Sequence, residues 1–294
     1  MLIPPYRITL SGGGIKGIAH IGALEVLSEH GLLKALREYV GISAGALVAF
    51  CLCIGTSLSE LRMVISLLDF GLIRDLEPET LLSFPETFGI DSGENLERLL
   101  KAILRARRLD TNITFAELAA AKIGPNLRII TMNLNTCIQQ EFSAECSPSA
   151  SVCMAVRASM SIPIYFSPVK DPQSGHYLSD GGIYFSSPFV FLKEDERRHT
   201  LSITFSDKHK PKDEILNLQG FLMQLYYSLD FKIAVDLRER WGSNILSIDC
   251  GVVNVINFEA KADEKMTLMD AGRTSAEKFL KSPGPKPVRR FSLS

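Results

Sequence analysis

Two glycine-rich turns near the start of the chain constrain its fold more than any other feature. The first has the sequence SGGGIKG at residues 11–17, and the second has the sequence GISAG at residues 41–45. Each turn follows a short β-favourable run and precedes a segment with apolar residues at helical spacing. Two consecutive strand-turn-helix units predict an α/β fold with a central, mostly parallel sheet flanked by helices.

The rest of the chain continues this alternation of helices and strands. The predicted helices are 59–70, 94–109, 153–159 and an amphipathic helix at 216–229. The predicted strands are 127–132, 138–142, 201–205 and 245–258, of which the first two form a hairpin. With 294 residues, 46% of them hydrophobic, the chain can bury one large core. We predict a single domain over 1–281 and a disordered basic tail at 282–294.

Charge and cysteine content argue against several classes of function. The formal net charge is -1 and the pI is about 6.5, so no basic surface for nucleic acid is expected. The six cysteines lack the paired spacing of a structural zinc site, and we interpret them as reduced core thiols. The opening MLIPPY lacks the features of a signal peptide, which predicts a cytosol-like compartment or delivery without such a peptide.

The second turn matches G-x-S-x-G, in which a serine nucleophile projects from a sharp strand-to-helix turn. This makes Ser43 the candidate nucleophile, with Gly41 and Gly45 as the small residues that the turn requires. Acyl transfer also needs backbone N–H groups aimed at the developing oxyanion. The first turn offers three such residues, Gly12, Gly13 and Gly14.

A nucleotide phosphate loop is the alternative interpretation of the first turn, because glycine-rich turns before helices also bind anions. Its glycines do satisfy G-x-G-x-x-G, but no acidic residue clearly ends a second strand about 20 residues later. A Walker sequence is also absent, since Gly17 is followed by Ile18 and Ala19. Lys16 fits either a structural role or a contact with a phosphate head group.

A serine nucleophile needs a base, and none of the five histidines is a convincing one. They lie in the first predicted helix, in charged stretches or in an exposed turn: His20, His30, His176, His199 and His209. Asp180 differs, because it ends a strand-like run and precedes Gly181 and Gly182. An ordinary Asp-Gly turn has the same pattern, so Asp180 gains weight only from the two turns that accompany it.

Together, these three motifs resemble those of the patatin-like phospholipases. In that family the serine of G-x-S-x-G acts with the aspartate of a D-G-[GA] turn, without histidine, and a G-G-G-x-[RK]-G loop supplies the oxyanion hole. The similarity extends to RASMSIP (157–163), TFAEL (114–118) and TMNLNT (131–136). It covers about residues 7–188 well and 245–280 more weakly.

The resemblance implies a three-layer patatin-like fold and a Ser43/Asp180 dyad that needs no metal or cofactor. It also implies an oxyanion loop and a set of supporting residues: Gly12, Gly13, Gly14, Lys16, Gly41, Gly45, Gly181 and Gly182. The expected activity is that of a phospholipase A acting on lipid at a membrane surface. Protein or small-molecule activation stays open.

Two other functions remain open at this stage. One is hydrolysis of neutral lipids or lysophospholipids on the same scaffold. The other is an inactive lipid-binding or signalling homologue, because Phe185-Ser186-Ser187 precede Pro188 where the family usually has an Asn-rich step. For membrane contact, we expect the 216–229 helix to be core in preference to a lid, and the basic tail to be solvated or membrane-bound.

Overall fold

The computed structural model describes residues 4–75, 83–206, 240–251, 253, 257 and 259–281. The predicted helix at 216–229 and the predicted tail at 282–294 lie outside the described residues. Both predicted strand-turn-helix units are present. The first runs from strand β1 (Arg7–Leu10) through a 3-10 turn (Gly14–Gly17) into helix α1 (Ile18–Glu29). The second joins β2 (Glu38–Gly41) directly to α2 (Ala44–Cys53).

Eight further strands and seven further α-helices are described, together with four more 3-10 turns: Phe70–Ile73, Gly181–Ile183, Pro188–Phe191 and Gly242–Asn244. The helices are α3 (Leu58–Leu67), α4 (Phe84–Thr87), α5 (Glu94–Ala106), α6 (Phe115–Ala121), α7 (Val152–Ser159), α8 (Glu194–Arg197) and α9 (Ala262–Lys281). The strands are β3 (Gly89–Asp91), β4 (Asn126–Asn133), β5 (Ile138–Ser143), β6 (Ile164–Phe166), β7 (Val169–Lys170), β8 (Tyr177–Asp180), β9 (Thr200–Phe205) and β10 (Ile245–Ile248). Ser57 and Thr114 begin α3 and α6 with reciprocal capping boxes, as Ser/Thr-x-x-Glu predicts.

The main sheet has the order β10-β9-β1-β2-β4-β8-β7, and β5 also pairs with β4. The five strands from β10 to β4 are parallel, whereas β5, β7 and β8 are antiparallel to their neighbours. The α/β class with a mostly parallel sheet is therefore confirmed, including the predicted β4-β5 hairpin. Because β1 and β2 are parallel, their glycine-rich turns emerge at the same edge of the sheet.

The largest part of the core lies between one face of the sheet and helices α1, α2 and α9. Helices α1 and α9 approach so closely that a Cβ at Gly22 would lie 1.9 Å from the Met269 carbonyl oxygen. A Cβ at Gly272 would likewise lie 2.0 Å from the Ala19 carbonyl oxygen. Glycine on both helices is thus the condition for this backbone-to-backbone contact.

Buried ion pairs close the opposite edge of the sheet, at the amino ends of β1 and β2. Glu38 contacts both Arg7 and Arg128, and Glu196 accepts from the same two arginines at 3.1 and 3.3 Å. Partnering of this kind is what allows charged side chains to be buried. The charged network and the two glycine-rich turns therefore occupy opposite edges of one sheet.

Several sequence predictions need correction. The helices predicted at 59–70 and 94–109 end earlier, at Leu67 and Ala106, and the strand predicted at 245–258 ends at Ile248. Gly251, at φ +65°, adopts a conformation that no regular strand contains. The cysteines form no disulfide. Cys51, Cys53 and Cys153 are buried and the half-buried Cys250 packs against the core, but Cys137 and Cys146 are exposed, so the core interpretation was wrong for those two. Within the described residues, no helix has both the length and the apolar character needed to cross a bilayer.

Candidate active site

Ser43 occupies a strained turn between β2 and α2. Its φ of 53° and ψ of -124° lie in a region that residues other than glycine rarely adopt. The turn is also tightly packed, since a Cβ at Gly45 would lie 2.2 Å from the Leu10 carbonyl oxygen. A Cβ at Gly41 would lie 2.5 Å from the Ala46 Cα atom. Both glycines of the G-x-S-x-G sequence are therefore sterically required, and they hold Ser43 at the edge of the sheet.

The first glycine-rich turn lies directly against this serine. A Cβ on Gly12 would be 3.1 Å from the Ser43 Cβ. The Gly12 N–H, however, donates to the Ser186 carbonyl at 2.9 Å, which leaves Gly13 and Gly14 as the better candidates for oxyanion donors. Gly14 has a φ of 54°, and Lys16 is buried within the same 3-10 turn.

Asp180 is contributed by β8, one of the antiparallel strands of the sheet. It ends β8 opposite Thr131 and is only 3% exposed. Burial raises the pKa of its carboxyl from 3.8 to about 6, while hydrogen bonding by the Ser43 hydroxyl and by the Gly182 N–H opposes this shift. The Gly182 N–H lies 2.7 Å from the Asp180 Oδ1 atom, at the start of a 3-10 turn that begins with Gly181. The carboxylate is ionised at neutral pH and faces the Ser43 hydroxyl.

A buried serine that the sequence did not single out ties these parts together. The Ser43 N–H donates to the Ser159 Oγ at 3.0 Å, and the Ser159 hydroxyl donates to the Ile130 carbonyl at 2.7 Å. Two residues later, the Ser161 carbonyl accepts the Asp180 N–H at 3.0 Å. The end of α7 and the residues after it therefore contact the backbone of both Ser43 and Asp180.

Arg157 anchors this segment from the last turn of α7. Its guanidinium donates to the Ser161 Oγ at 2.6 Å and to the Gly93 carbonyl at 3.0 Å, and burial lowers its pKa to about 10. The sequence RASMSIP supplied the only signal for Arg157 and Ser159, and that signal came from family resemblance. Their contacts span 64 and 116 positions in the chain, and no local pattern predicts them.

An apolar pocket opens beside Ser43. Nearly all of its lining is hydrophobic, including Ile21, Leu47, Ile65, Phe70, Leu96 and Phe166. An apolar pocket that is also lined by a serine suits a substrate with a hydrocarbon chain and a reactive polar group. The pocket therefore favours an acyl ester over a nucleotide.

The histidines in the described residues play other parts. His20 is fully buried, contacts the Ser11 carbonyl through Nε2 at 2.9 Å and packs against the Phe205 ring. Burial lowers its pKa to about 4, so the ring is neutral. His176 contacts Asn133, and His30 contacts its own helix. Among the described residues, no group of three or more His, Cys, Asp or Glu side chains is arranged to hold a metal ion.

Comparison with known proteins gives the same assignment as the geometry. The family model described as patatin-like phospholipase matches residues 8–192, which include both glycine-rich turns and Asp180. The chain belongs to the patatin-like phospholipase family. Membership supports lipid hydrolase activity and confirms the predicted fold and resemblance.

Two relatives match much of the chain. The chain is 26% identical over 292 residues to the protein YqhO of Bacillus subtilis, covering 92% of this chain and 96% of YqhO. It is 29% identical over 191 residues to 463L of Invertebrate iridescent virus 6, named as a probable lipid hydrolase; the match covers 64% and 63% of the two chains.

Solved structures show the same fold at low identity. The crystal structure of VipD from Legionella pneumophila is similar with a TM-score of 0.63 and 17% identity, covering 94% of this chain and 67% of VipD. ExoU from Pseudomonas aeruginosa, in complex with SpcU, is similar with a TM-score of 0.53 and 21% identity. That match covers 95% of this chain and 53% of ExoU.

Proposed function

We propose that the protein is a phospholipase A that cleaves acyl esters of phospholipids through a Ser43/Asp180 dyad. One observation carries this proposal: Ser43 borders an apolar pocket and faces a buried carboxylate with a pKa of about 6. A carboxylate with its ordinary pKa near 4 would be a weaker base for a serine hydroxyl. The raised pKa brings the base closer to neutral pH while keeping it ionised there.

The proposed reaction has two halves. In the first, Asp180 takes the hydroxyl proton as the Ser43 Oγ attacks the ester carbonyl carbon, and the N–H groups of Gly13 and Gly14 stabilise the oxyanion. The bond to the alcohol oxygen then breaks, Asp180 returns its proton to the leaving lysophospholipid, and an acyl-serine remains. In the second half, Asp180 takes a proton from water as the water oxygen attacks the acyl carbon. The bond between that carbon and the Ser43 Oγ then breaks, Asp180 returns its proton to the Oγ, and the fatty acid is released.

The supporting residues shape this arrangement without forming or breaking a bond in the reaction. Gly41 and Gly45 allow the turn that presents Ser43, and Gly181 and Gly182 form the turn that fixes Asp180. Burial of Lys16 favours a structural role in the oxyanion loop over contact with a phosphate head group. No cofactor or metal enters the proposed steps. Membrane contact would be peripheral.

Product analysis on defined phospholipids tests the proposal. Wild-type protein should release free fatty acid and lysophospholipid, whereas Ser43→Ala and Asp180→Asn should each abolish release while unfolding cooperatively like wild type. A fluorophosphonate should label wild type and leave Ser43→Ala unlabelled. Full hydrolysis by either variant would eliminate the dyad.

A substrate panel separates the remaining functions. Preference for triacylglycerol or lysophospholipid over diacyl phospholipid would identify the alternative hydrolases. An unlabelled wild-type Ser43 with no hydrolysis of any ester would identify an inactive lipid-binding homologue. The contact between the Gly12 N–H and the Ser186 carbonyl argues against that outcome, because the altered Phe185-Ser186-Ser187 step still holds the oxyanion loop.

A further inference from the structure

Helix α3 is apolar on both its inner and its outer side. Its inner side buries Leu61 and Ile65, and Ile65 lines the pocket beside Ser43. Its outer side carries Met63, Val64 and Leu67, which are 58, 46 and 79% exposed. Residues three and four positions apart are neighbours on a helix surface, so these three side chains form one patch.

The 3-10 turn that follows α3 repeats this arrangement. Phe70 and Ile73 line the pocket, and Leu72 between them is 70% exposed. We call Met63, Val64, Leu67 and Leu72 the apolar rim. Exposed apolar residues scattered singly are normal on a protein surface, whereas a contiguous patch beside a ligand pocket marks a binding surface. The same short segment of chain thus builds the pocket wall and the apolar rim.

We propose that the apolar rim inserts into the surface of a neutral lipid bilayer and brings the pocket entrance to the substrate. This inference rests on the proposed function, because a phospholipid acyl chain that passes directly from membrane to pocket avoids crossing water. Continuity supports it: Ile65, Phe70 and Ile73 continue the apolar surface from the apolar rim to Ser43.

The charges beside the apolar rim favour neutral over anionic lipid. Arg62 is paired with Glu25 at 2.8 Å, and Arg74 is paired with Glu259 at 3.3 Å. Lys265 is buried beneath the segment, donates to the Leu68 carbonyl and lies 5.0 Å from the centre of the Phe70 ring. With these cations engaged by protein groups, the apolar rim should bind through hydrophobic contact, which salt does not screen.

Vesicle binding by a polar double variant tests the proposal. We would replace Leu67→Gln and Leu72→Gln together in a Ser43→Ala background, so that the lipid is not consumed, and measure co-sedimentation with phosphatidylcholine vesicles. Loss of two inserted leucines should weaken partitioning about 100-fold. The matched control is Ile123→Gln, a 42% exposed aliphatic residue that precedes β4 at the opposite edge of the sheet, and it should bind like the parent.

A second measurement separates this proposal from the proposed function. With Ser43 present, the double variant should hydrolyse a soluble short-chain ester at the wild-type rate and lose activity on phosphatidylcholine vesicles. If wild type hydrolyses neither substrate, the proposed phospholipase function is refuted. Vesicle binding by the Ser43→Ala protein then still tests the apolar rim as a membrane contact.

Three results would overturn the apolar rim as the membrane contact. The first is unchanged vesicle binding by the double variant. The second is binding only to vesicles that contain phosphatidylserine, with loss of that binding in high salt. The third is a wild-type dimer that the double substitution converts to a monomer, which would make the patch a contact between copies of this chain.

Discussion

The two members of the proposed dyad are held in place by different physical means. Ser43 sits on a strained turn between parallel elements, where glycines pack against the backbone of β1 and α2. Asp180 ends an antiparallel strand with an ordinary φ of -54° and is fixed by hydrogen bonds from its own turn and to the Ser161 carbonyl. Sterics thus position the nucleophile, and hydrogen bonds position the base.

This difference predicts how each residue responds to change. A steric lock has no intermediate state, because any added atom must displace backbone. A hydrogen-bonded carboxylate responds in steps, through the number of its partners and through pH. Substitutions near Ser43 should therefore have the larger and more abrupt effects.

Gly45→Ala should cause the largest loss of stability and would test the steric lock directly. The new methyl group would meet the Leu10 carbonyl oxygen at 2.2 Å. We expect loss of about 3 kcal/mol or more of the free energy of unfolding and at least about 100-fold of kcat/KM. The matched control is Gly242→Ala, where no atom lies within 4 Å of the added Cβ. Equal behaviour of the two variants in denaturant titrations would refute the steric account.

Asp180→Asn should show how much burial of the ionised Asp180 carboxylate lowers the free energy of unfolding. Because the folded protein raises the pKa of Asp180 from 3.8 to about 6, its contribution to stability is complete below 3.8 and is lost as pH rises through about 6. Above pH 7 the uncharged variant should be more stable than wild type by about 3 kcal/mol, and this advantage should vanish near pH 3. Unfolding curves across this range would measure it. A difference independent of pH would contradict the assigned pKa.

The activity of wild type should follow the same carboxylate. With Asp180 as the base, kcat/KM for a soluble ester should fall about 10-fold for each pH unit below about 6, because only the ionised form accepts the proton. The rate should be flat above that value into the mildly alkaline range. A profile that declines with an apparent pKa near 4 would show that the carboxyl is not desolvated in the working enzyme.

Ser159→Ala should produce a smaller, graded loss. Removing its hydroxyl leaves the Ser43 N–H and the Ile130 carbonyl without their buried partner. We expect a loss of about 1–3 kcal/mol of stability and a fall in kcat of about 10-fold with little change in KM. Ser247→Ala is the matched control, since the buried Ser247 hydroxyl has no hydrogen-bond partner among the described residues. Identical effects of both substitutions would remove Ser159 from the positioning of Ser43.

Most residues of the candidate site can be predicted from short sequence motifs. The glycines around Ser43 and after Asp180 are visible because their steric demands act within a few residues. The partners of Gly12, Ser43 and Asp180 were not visible, because Ser186, Ser159 and Ser161 reach them through tertiary contacts. The sequence therefore predicts Gly12 as an oxyanion donor, whereas in the structure its N–H donates to the Ser186 carbonyl.

For the fold, too, the sequence predicts the features that depend on nearby residues and misses those that depend on distant contacts. Alternating strands and helices predicted the parallel sheet, and its order became apparent only from strand pairing. The ends of α3 and α5 were misplaced because apolar residues continue past both helices into packed turns. The spacing of apolar residues indicates which residues are buried, and buried residues continue beyond the last residue of a helix.

The close approach of α1 and α9 at Gly22 and Gly272 also has a consequence for folding during synthesis. Helix α1 is synthesised about 250 residues before α9, the helix that covers it. At translation rates of about 5–20 residues per second, α1 waits on the order of ten seconds or more for α9. Throughout that interval the surface of α1 that α9 later buries lacks its native partner, so it is open to chaperone binding and to aggregation.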